Sequence, residues 1–522
     1  MEFVEFSAFD YHSDDTFSLS KYRVEGSEQE GWEILRNGES YLTLGKGYRL
    51  LKTELCGVCS TDLDRRFLPF PLPQVIGHEV VASDPRTGKK FALEINDTST
   101  ARGQGSDIFA RRGLFTHSPD RQVLGIDRLP GGFGPYLLAP IGTMVEIGSL
   151  SDSEAVLLEP FSASFHAVET SLQRLGSNPK RIAVLGPRRL GSLLLAALNL
   201  YRRCQESDFR ISSVVKREAL KDISFNAGAD EVFVFEGLDS GTAISPELSG
   251  KKFLKNGTSE LIRWKDLKNE FDLVFDTTGA VSGLKISMEL TPSVVHRKTT
   301  NGQASLGMKN LTELVVDELT IAPLREDFWN LSWGIHPSDE KVWVFLEEKV
   351  ILSSEEELLL AKAREKGIRF FSGSLSAATN FLASPEFTGD LGRFDFAIVS
   401  SLPSIDSVIR PGKADGSSLL RPRGSILVPR RNETQDRFLD WIKNGGNLQS
   451  SRCGDFRRTL SALDSHPRFL MELSKLLIAA EFSGEEVPEA YVEARKPDSI
   501  KVVVRHGSYG PTNPSSSRRG NS

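Results

Sequence analysis

Residues 180–203 read KRIAVLGPRRLGSLLLAALNLYRR. Ile182 to Leu185 is an unbroken apolar run, the pattern of a strand buried on both faces. Gly186 and Pro187 interrupt it, and the apolar LLLAALNL that follows suits a packed helix. Strand, tight turn and helix in that order are the start of a parallel βαβ unit. FRISSVV (209–215) supplies a second strand, and FDLVFDTTG (271–279) a later one that ends on a glycine turn. Residues from about 166 to 325 therefore read as a doubly wound α/β domain.

Upstream the texture differs. YRLLKTELCGV (48–58), QVIGHEVVA (74–82) and KKFALEI (89–95) are short strands joined by turns, and LPGGFGPYLLAP (129–140) is a glycine-rich turn running into a strand. Residues 1–165 thus read as a compact β-rich domain. EPFSASFHAVETSLQRLG (159–176) has helical spacing and ends at a glycine. Downstream, EKVWVFLEEKVIL, EEELLLAKAREKG, FDFAIVSSL and RGSILVPRR alternate strand and helix again, and FDFAIVSS echoes FDLVFDTT. Residues 326–449 read as an inserted or partly duplicated α/β segment. The chain closes through helices onto the strand SIKVVVRH, so that 450–506 completes the first domain. The Gly/Ser/Pro-rich 507–522 reads as a disordered tail.

The 522 residues exceed what one core organises, and 39% hydrophobic with 26% charged residues is ordinary for a globular chain. A net charge of −6 with interspersed signs predicts neither a nucleic-acid nor a membrane partner. The start MEFVEFSAFD lacks a signal peptide's basic and apolar regions, and four cysteines make no disulfide framework, so a reducing, cytoplasmic setting is expected.

CGVCSTD (56–62) and GHE (77–79), whose His78 lies nineteen residues beyond Cys59, place a thiol, an imidazole and carboxylates close together in sequence. A catalytic zinc takes three such ligands and keeps a fourth position open. A third carboxylate, Glu159, stands in LLEPFSASFHA. Taken alone, Cys56-Gly-Val-Cys59 also fits a buried turn or a redox pair, and His78 a hydrogen-bonded structural histidine.

In their order and spacing, CGVCSTDLD, PFPLPQVIGHEVVA, LLEPFSASFHAVE and IAVLGPRRLG resemble the zinc-dependent medium-chain alcohol dehydrogenases, closest to the sorbitol and threonine dehydrogenase branch. The resemblance covers most of 45–325 and resumes near Ser451. It implies a GroES-like β-barrel catalytic domain beside a Rossmann-like nucleotide-binding domain. It implies Cys59, His78, and Glu79 or Glu159 as metal ligands, Cys56 as structural, Thr61 as the hydroxyl that passes the substrate proton on, and Asp62 as the carboxylate that orients His78. Zinc would favour the alkoxide of a bound alcohol, and a nicotinamide would accept the hydride. A homodimer or homotetramer is implied too.

Two stretches depart from the family pattern. The lobe INDTSTARGQGSDIFARRGLFTHSPDRQVLG (95–125) contains no cysteine, and Ser99 and Ser118 stand where thiols for a structural zinc are expected. One catalytic zinc and no structural zinc is the expectation, with His117 a surface side chain. The cofactor loop reads Gly186-Pro187-Arg188-Arg189-Leu190-Gly191, with Arg188 in place of the middle glycine of the dinucleotide fingerprint. Arg188 either obstructs the pyrophosphate or binds it. Lys216 and Arg217 after the second strand suit a 2′-phosphate and hence NADP, or are ordinary exposed basic residues, with NAD left open.

The reading is a zinc-dependent dehydrogenase of a secondary alcohol, polyol or ketone that uses NAD or NADP. The alternative is a degenerate relative that keeps the fold but acts as a binding or assembly protein.

Overall fold

The computed structural model describes residues 2–175, 178–238, 244–299, 303–326, 328–331, 341–389, 391–412, 416–430 and 436–507. The tail expected to be disordered lies, from residue 508 on, outside the described residues. The described residues pack as two compact units: those within 2–97, 122–156 and 478–507 form one, and those within 98–121 and 157–477 the other.

The first unit opens with β1 (Glu2–Tyr11), β2 (Phe17–Ser27), β3 (Gly31–Arg36) and β4 (Glu39–Leu44), an antiparallel sheet in sequence order. In β2 Ser20, Tyr22 and Val24 are buried while Leu19, Lys21 and Arg23 are exposed, the period-two pattern of a strand with one packed face. Next come β5 (Tyr48–Gly57), β6 (Glu79–Ser83), β7 (Lys90–Leu93), the two-residue pair β8 (Asn96–Asp97) and β9 (Gln122–Val123), then β10 (Tyr136–Pro140) and β11 (Met144–Glu146).

The second unit is built on β12 (Arg181–Leu185), β13 (Arg210–Val215), β14 (Glu231–Val234), β15 (Ser249–Leu254), β16 (Ser259–Arg263), β17 (Leu273–Asp276), β18 (Val294–Arg297), β19 (Thr320–Pro323), β20 (Trp343–Glu347), β21 (Arg369–Gly373), β22 (Phe394–Ile398), β23 (Leu420–Val428) and β24 (Asn447–Ser450). Among the described residues they make one sheet in the order β16-β15-β14-β13-β12-β17-β18-β24-β19-β23-β22-β20-β21. From β14 to β24 the neighbours run parallel. β19 is antiparallel to β24 and parallel to β23, so strand direction reverses there. The order β13-β12-β17-β18 recurs as β21-β20-β22-β23, so the 326–449 segment repeats the topology of the segment before it. The two stretches share one layer: Val295 of β18, Leu448 of β24, Ile321 of β19 and Ile426 of β23 are fully buried in a common cluster.

The chain returns to the first unit through β25 (Ile478–Ser483) and β26 (Lys501–Arg505), giving the order β11-β7-β6-β5-β26-β25, with β10 also on β5. This return is later than the expected residue 450. Helices Phe456–Leu463 and Phe469–Leu477 bury apolar faces within the second unit, and the Phe469 ring lies 5.7 Å from that of Phe161. Among the described residues no helix is long and apolar enough to cross a membrane.

Candidate metal centre

β5 ends at Gly57, and after Val58 the chain turns into the short helix Ser60–Leu63, with Cys59 at its N-cap. Asp62 caps this turn: its Oδ2 accepts the Cys59 amide at 2.8 Å. Its Oδ1 accepts the Gly77 amide at 3.2 Å and lies 3.2 Å from His78 Nδ1. One fully buried carboxylate thus ties the thiol-bearing turn to the imidazole. Gly77 has φ +98°, and a Cβ there would lie 2.8 Å from both Cys56 Sγ and the Phe133 ring, so the residue before His78 has room only for glycine. Glu79 opens β6.

The donor atoms of Cys59, His78 and Glu79 all lie within 4.8 Å of one another. With Nδ1 turned to Asp62, the ring presents Nε2 to the thiol, the arrangement of a metal-binding histidine backed by a carboxylate. Burial pushes the His78 pKa down, but Asp62 and Cys59 outweigh it and hold the imidazolium well above its ordinary value. Counting Cys59 as thiolate, Asp62 and Glu79 give three negative charges against the Lys501 ammonium beside Glu79. A divalent cation brings the sum to zero, so the donor set fits a zinc-type ion. Thr61 Oγ1 is 3.7 Å from Cys59 Sγ, where a hydroxyl can touch a ligand held at that sulfur.

Cys56 is separate from this cluster. It is fully buried on β5, burial raises its thiol well above the ordinary value, and all four cysteines are free. Glu159 stands half-buried in the first turn of helix Leu158–Leu175, in the second unit. Its charge, with that of Glu318, opposes the burial that pushes Lys298 down to about 8.

The cofactor loop follows β12. The Arg188 amide donates to Gly186 O at 2.8 Å, and helix Arg189–Cys204 begins there. A Cβ on Gly191 would lie 2.8 Å from Gly186 O and 2.9 Å from Thr277 Oγ1, so the close helix–strand approach of a dinucleotide fold is retained. Arg188, Arg189 and Leu190 are half-buried; Lys216 is exposed and Arg217 half-buried just past β13. Gly186 and Gly191, the first and last glycines of the fingerprint, frame this turn, with Arg188 in place of the middle one.

The cysteine-free lobe is held by side chains. Asp120 accepts the Ser99 amide at 3.0 Å, the Ser99 hydroxyl, the Arg102 guanidinium and, at 2.8 Å, the Ser118 hydroxyl, which also meets Asp107. His117, expected as a surface side chain, is half-buried. Its Nε2 lies 3.1 Å from Val316 O, and burial drives its pKa well below the ordinary value.

Sequence reasoning missed Lys501, whose ammonium pairs with Glu79. The available signal was a lysine beside the apolar run of SIKVVVRH.

No protein-family model matches the chain. D-arabinitol dehydrogenase 1 of Uromyces fabae is 25% identical over 250 residues, 45% of this chain and 62% of that protein. An NAD-dependent alcohol dehydrogenase of Sulfolobus acidocaldarius is 30% identical over 206 residues, 36% of this chain and 57% of that protein. The chain thus matches less than two thirds of either relative's length. Among solved structures, L-idonate 5-dehydrogenase of Escherichia coli aligns over 97% of this chain and 99% of that one, at a TM-score of 0.48 and 13% identity. Along its sequence the chain is thus similar to polyol and alcohol dehydrogenases.

Proposed function

We propose that the chain is a zinc-dependent dehydrogenase that transfers a hydride between a secondary alcohol, most simply a polyol, or its ketone and NAD or NADP. The observation that carries this reading is the Cys59–His78–Glu79 cluster, with Asp62 behind the histidine. The names of the relatives support it: they act on D-arabinitol and on alcohols, and one is NAD-dependent. The degenerate, non-catalytic alternative explains neither feature, since a scaffold needs no converging thiol–imidazole–carboxylate set.

Bound zinc would supply Lewis acidity to the alcohol oxygen, and the nicotinamide would supply the hydride acceptor. The chain's own groups do the rest. Asp62 fixes the His78 tautomer and the direction of its ring, and its hold on the Cys59 amide sets where the sulfur stands. Thr61 Oγ holds the proton that leaves the substrate hydroxyl and passes it towards solvent. Glu79 and Glu159 are the candidate carboxylate ligands. Gly186, Arg188, Arg189, Leu190 and Gly191 would take the pyrophosphate, with Arg188 as a charged contact in place of a glycine. Lys216 and Arg217 would meet the ribose or its 2′-phosphate. We read the first unit as a GroES-like barrel domain and 326–449 as an insertion into the Rossmann-like domain. A cytoplasmic homodimer or homotetramer completes the proposal.

The test is protein fluorescence titrated with NADH and NADPH, followed by a panel of polyols and secondary alcohols with both oxidised cofactors on zinc-loaded protein. Saturable binding and turnover that Cys59→Ser removes are expected. Binding of neither cofactor would return the reading to a non-catalytic relative.

A further inference from the structure

Glu79 is joined to a group 422 residues away in sequence: the Lys501 ammonium sits on its Oε2. Both are almost wholly buried, Lys501 at 6% and Glu79 at 1% exposure. The pairing follows from strand register. β5 lies between β6 and β26, and Gly57 of β5 is opposite Glu79 on one side and Val503 on the other. Gly57 makes the space: a Cβ there would collide with Glu79 Oε2 and lie 3.0 Å from Lys501 Cε. The ammonium's remaining contact is Val58 O at 3.4 Å, in the turn that leads to Cys59.

Lys501 therefore touches two parts of the centre, the carboxylate and the backbone that carries the thiol. A carboxylate whose charge is shared with a buried ammonium is a poorer donor to a cation than a free one, because in a low-dielectric site the two positive charges compete for it. We propose that Lys501 is a positioning residue of the metal centre: it holds Glu79 in place and weakens it as a ligand, leaving Cys59 and His78 to carry most of the metal's binding. This rests on the metal-centre reading above and extends it to a residue of the C-terminal strand. With Lys501 the three anionic groups and one divalent ion sum to zero charge. Without it the filled site is left negative, and the ion is held harder.

The test uses the full-length protein stripped of metal and titrated with Co2+ against a chromogenic chelator, with the cobalt absorption bands recorded. Lys501→Met is expected to bind Co2+ at least about tenfold more tightly and to shift the ligand-field bands, since Glu79 becomes a full ligand. Lys501→Arg should keep wild-type affinity, and Glu79→Gln added to Lys501→Met should abolish the gain. Unchanged or weaker binding by Lys501→Met, or a gain that survives Glu79→Gln, overturns the proposal. Should Lys501→Met fail to fold, as judged by circular dichroism, Glu79→Gln alone decides. A loss of less than about threefold supports the proposal, and a loss of about a hundredfold contradicts it. If the wild type shows no cobalt–thiolate band that Cys59→Ser removes, the metal-centre reading itself has failed, a result distinguishable from a silent Lys501.

Discussion

Asp62→Asn keeps the side-chain shape and removes the charge on which the centre is assembled. In the wild type Oδ2 accepts the Cys59 amide at 2.8 Å, and Oδ1 faces the Gly77 amide and His78 Nδ1, each at 3.2 Å. An asparagine has one accepting oxygen for these donors, and its NH2 opposes either the amides or the ring N–H. Loss of the carboxylate behind a metal-binding histidine costs about 10- to 100-fold in metal affinity, or roughly 1.4–2.8 kcal/mol. A second effect runs the other way. Against the downward push of burial, Asp62 and Cys59 hold the His78 imidazolium well above its ordinary pKa, so metal competes with a proton for the ring, more strongly as pH falls. Without Asp62 that competition falls. The deficit of Asp62→Asn is therefore smaller at pH 7 than at pH 9, because raising the pH relieves the proton competition that burdens the wild type more than the variant. Zinc titrations in competition with a chelator at both pH values measure this directly. Equal affinities for wild type and variant at both, or a deficit that shrinks as pH rises, would refute the reasoning.

Other perturbations separate the parts of the account. Cys59→Ser should abolish metal binding while Cys56→Ser retains it, read as metal per chain after gel filtration; the reverse pattern would favour a role for Cys56. Burial pushes His506 down to about 4, below the roughly 6.5 of an unfolded histidine. The unfolded chain then binds more protons in that window, so stability present above about pH 6.5 is lost as pH falls towards 4, by up to about 3 kcal/mol. His506→Phe should flatten this part of the pH profile in urea titrations, and an unchanged slope would rule the residue out. Asp120→Ala should lower hydrogen-exchange protection across 98–121 by about 1 kcal/mol after solvent screening, with no comparable loss on adding chelator to the wild type. A chelator-sensitive lobe would contradict a side-chain clamp.

Much of the site was legible because its signals are local. Cys59, Thr61 and Asp62 share one turn, and the glycine of GHE is demanded by a positive φ beside Cys56. The strand at 182–185 and the glycines at 186 and 191 announced the βαβ start for the same reason. What escaped depends on distant pairing. Residues 326–449 were visible as alternating strands and helices, yet nothing local says that β24 lies between β18 and β19 and joins both stretches into one layer. Lys501 reads as an ordinary strand lysine until β26 is laid against β5, which is itself set against β6. His117 reads as exposed in a polar lobe until Val316 is found against it.

The most direct measurement is X-ray absorption at the zinc edge on the purified, zinc-loaded full-length protein. A centre held by Cys59, His78 and one carboxylate predicts a single sulfur neighbour at about 2.3 Å with nitrogen and oxygen neighbours near 2.0–2.1 Å, the sulfur shell vanishing in Cys59→Ser. Two or more sulfur neighbours, or none in the wild type, would contradict the account.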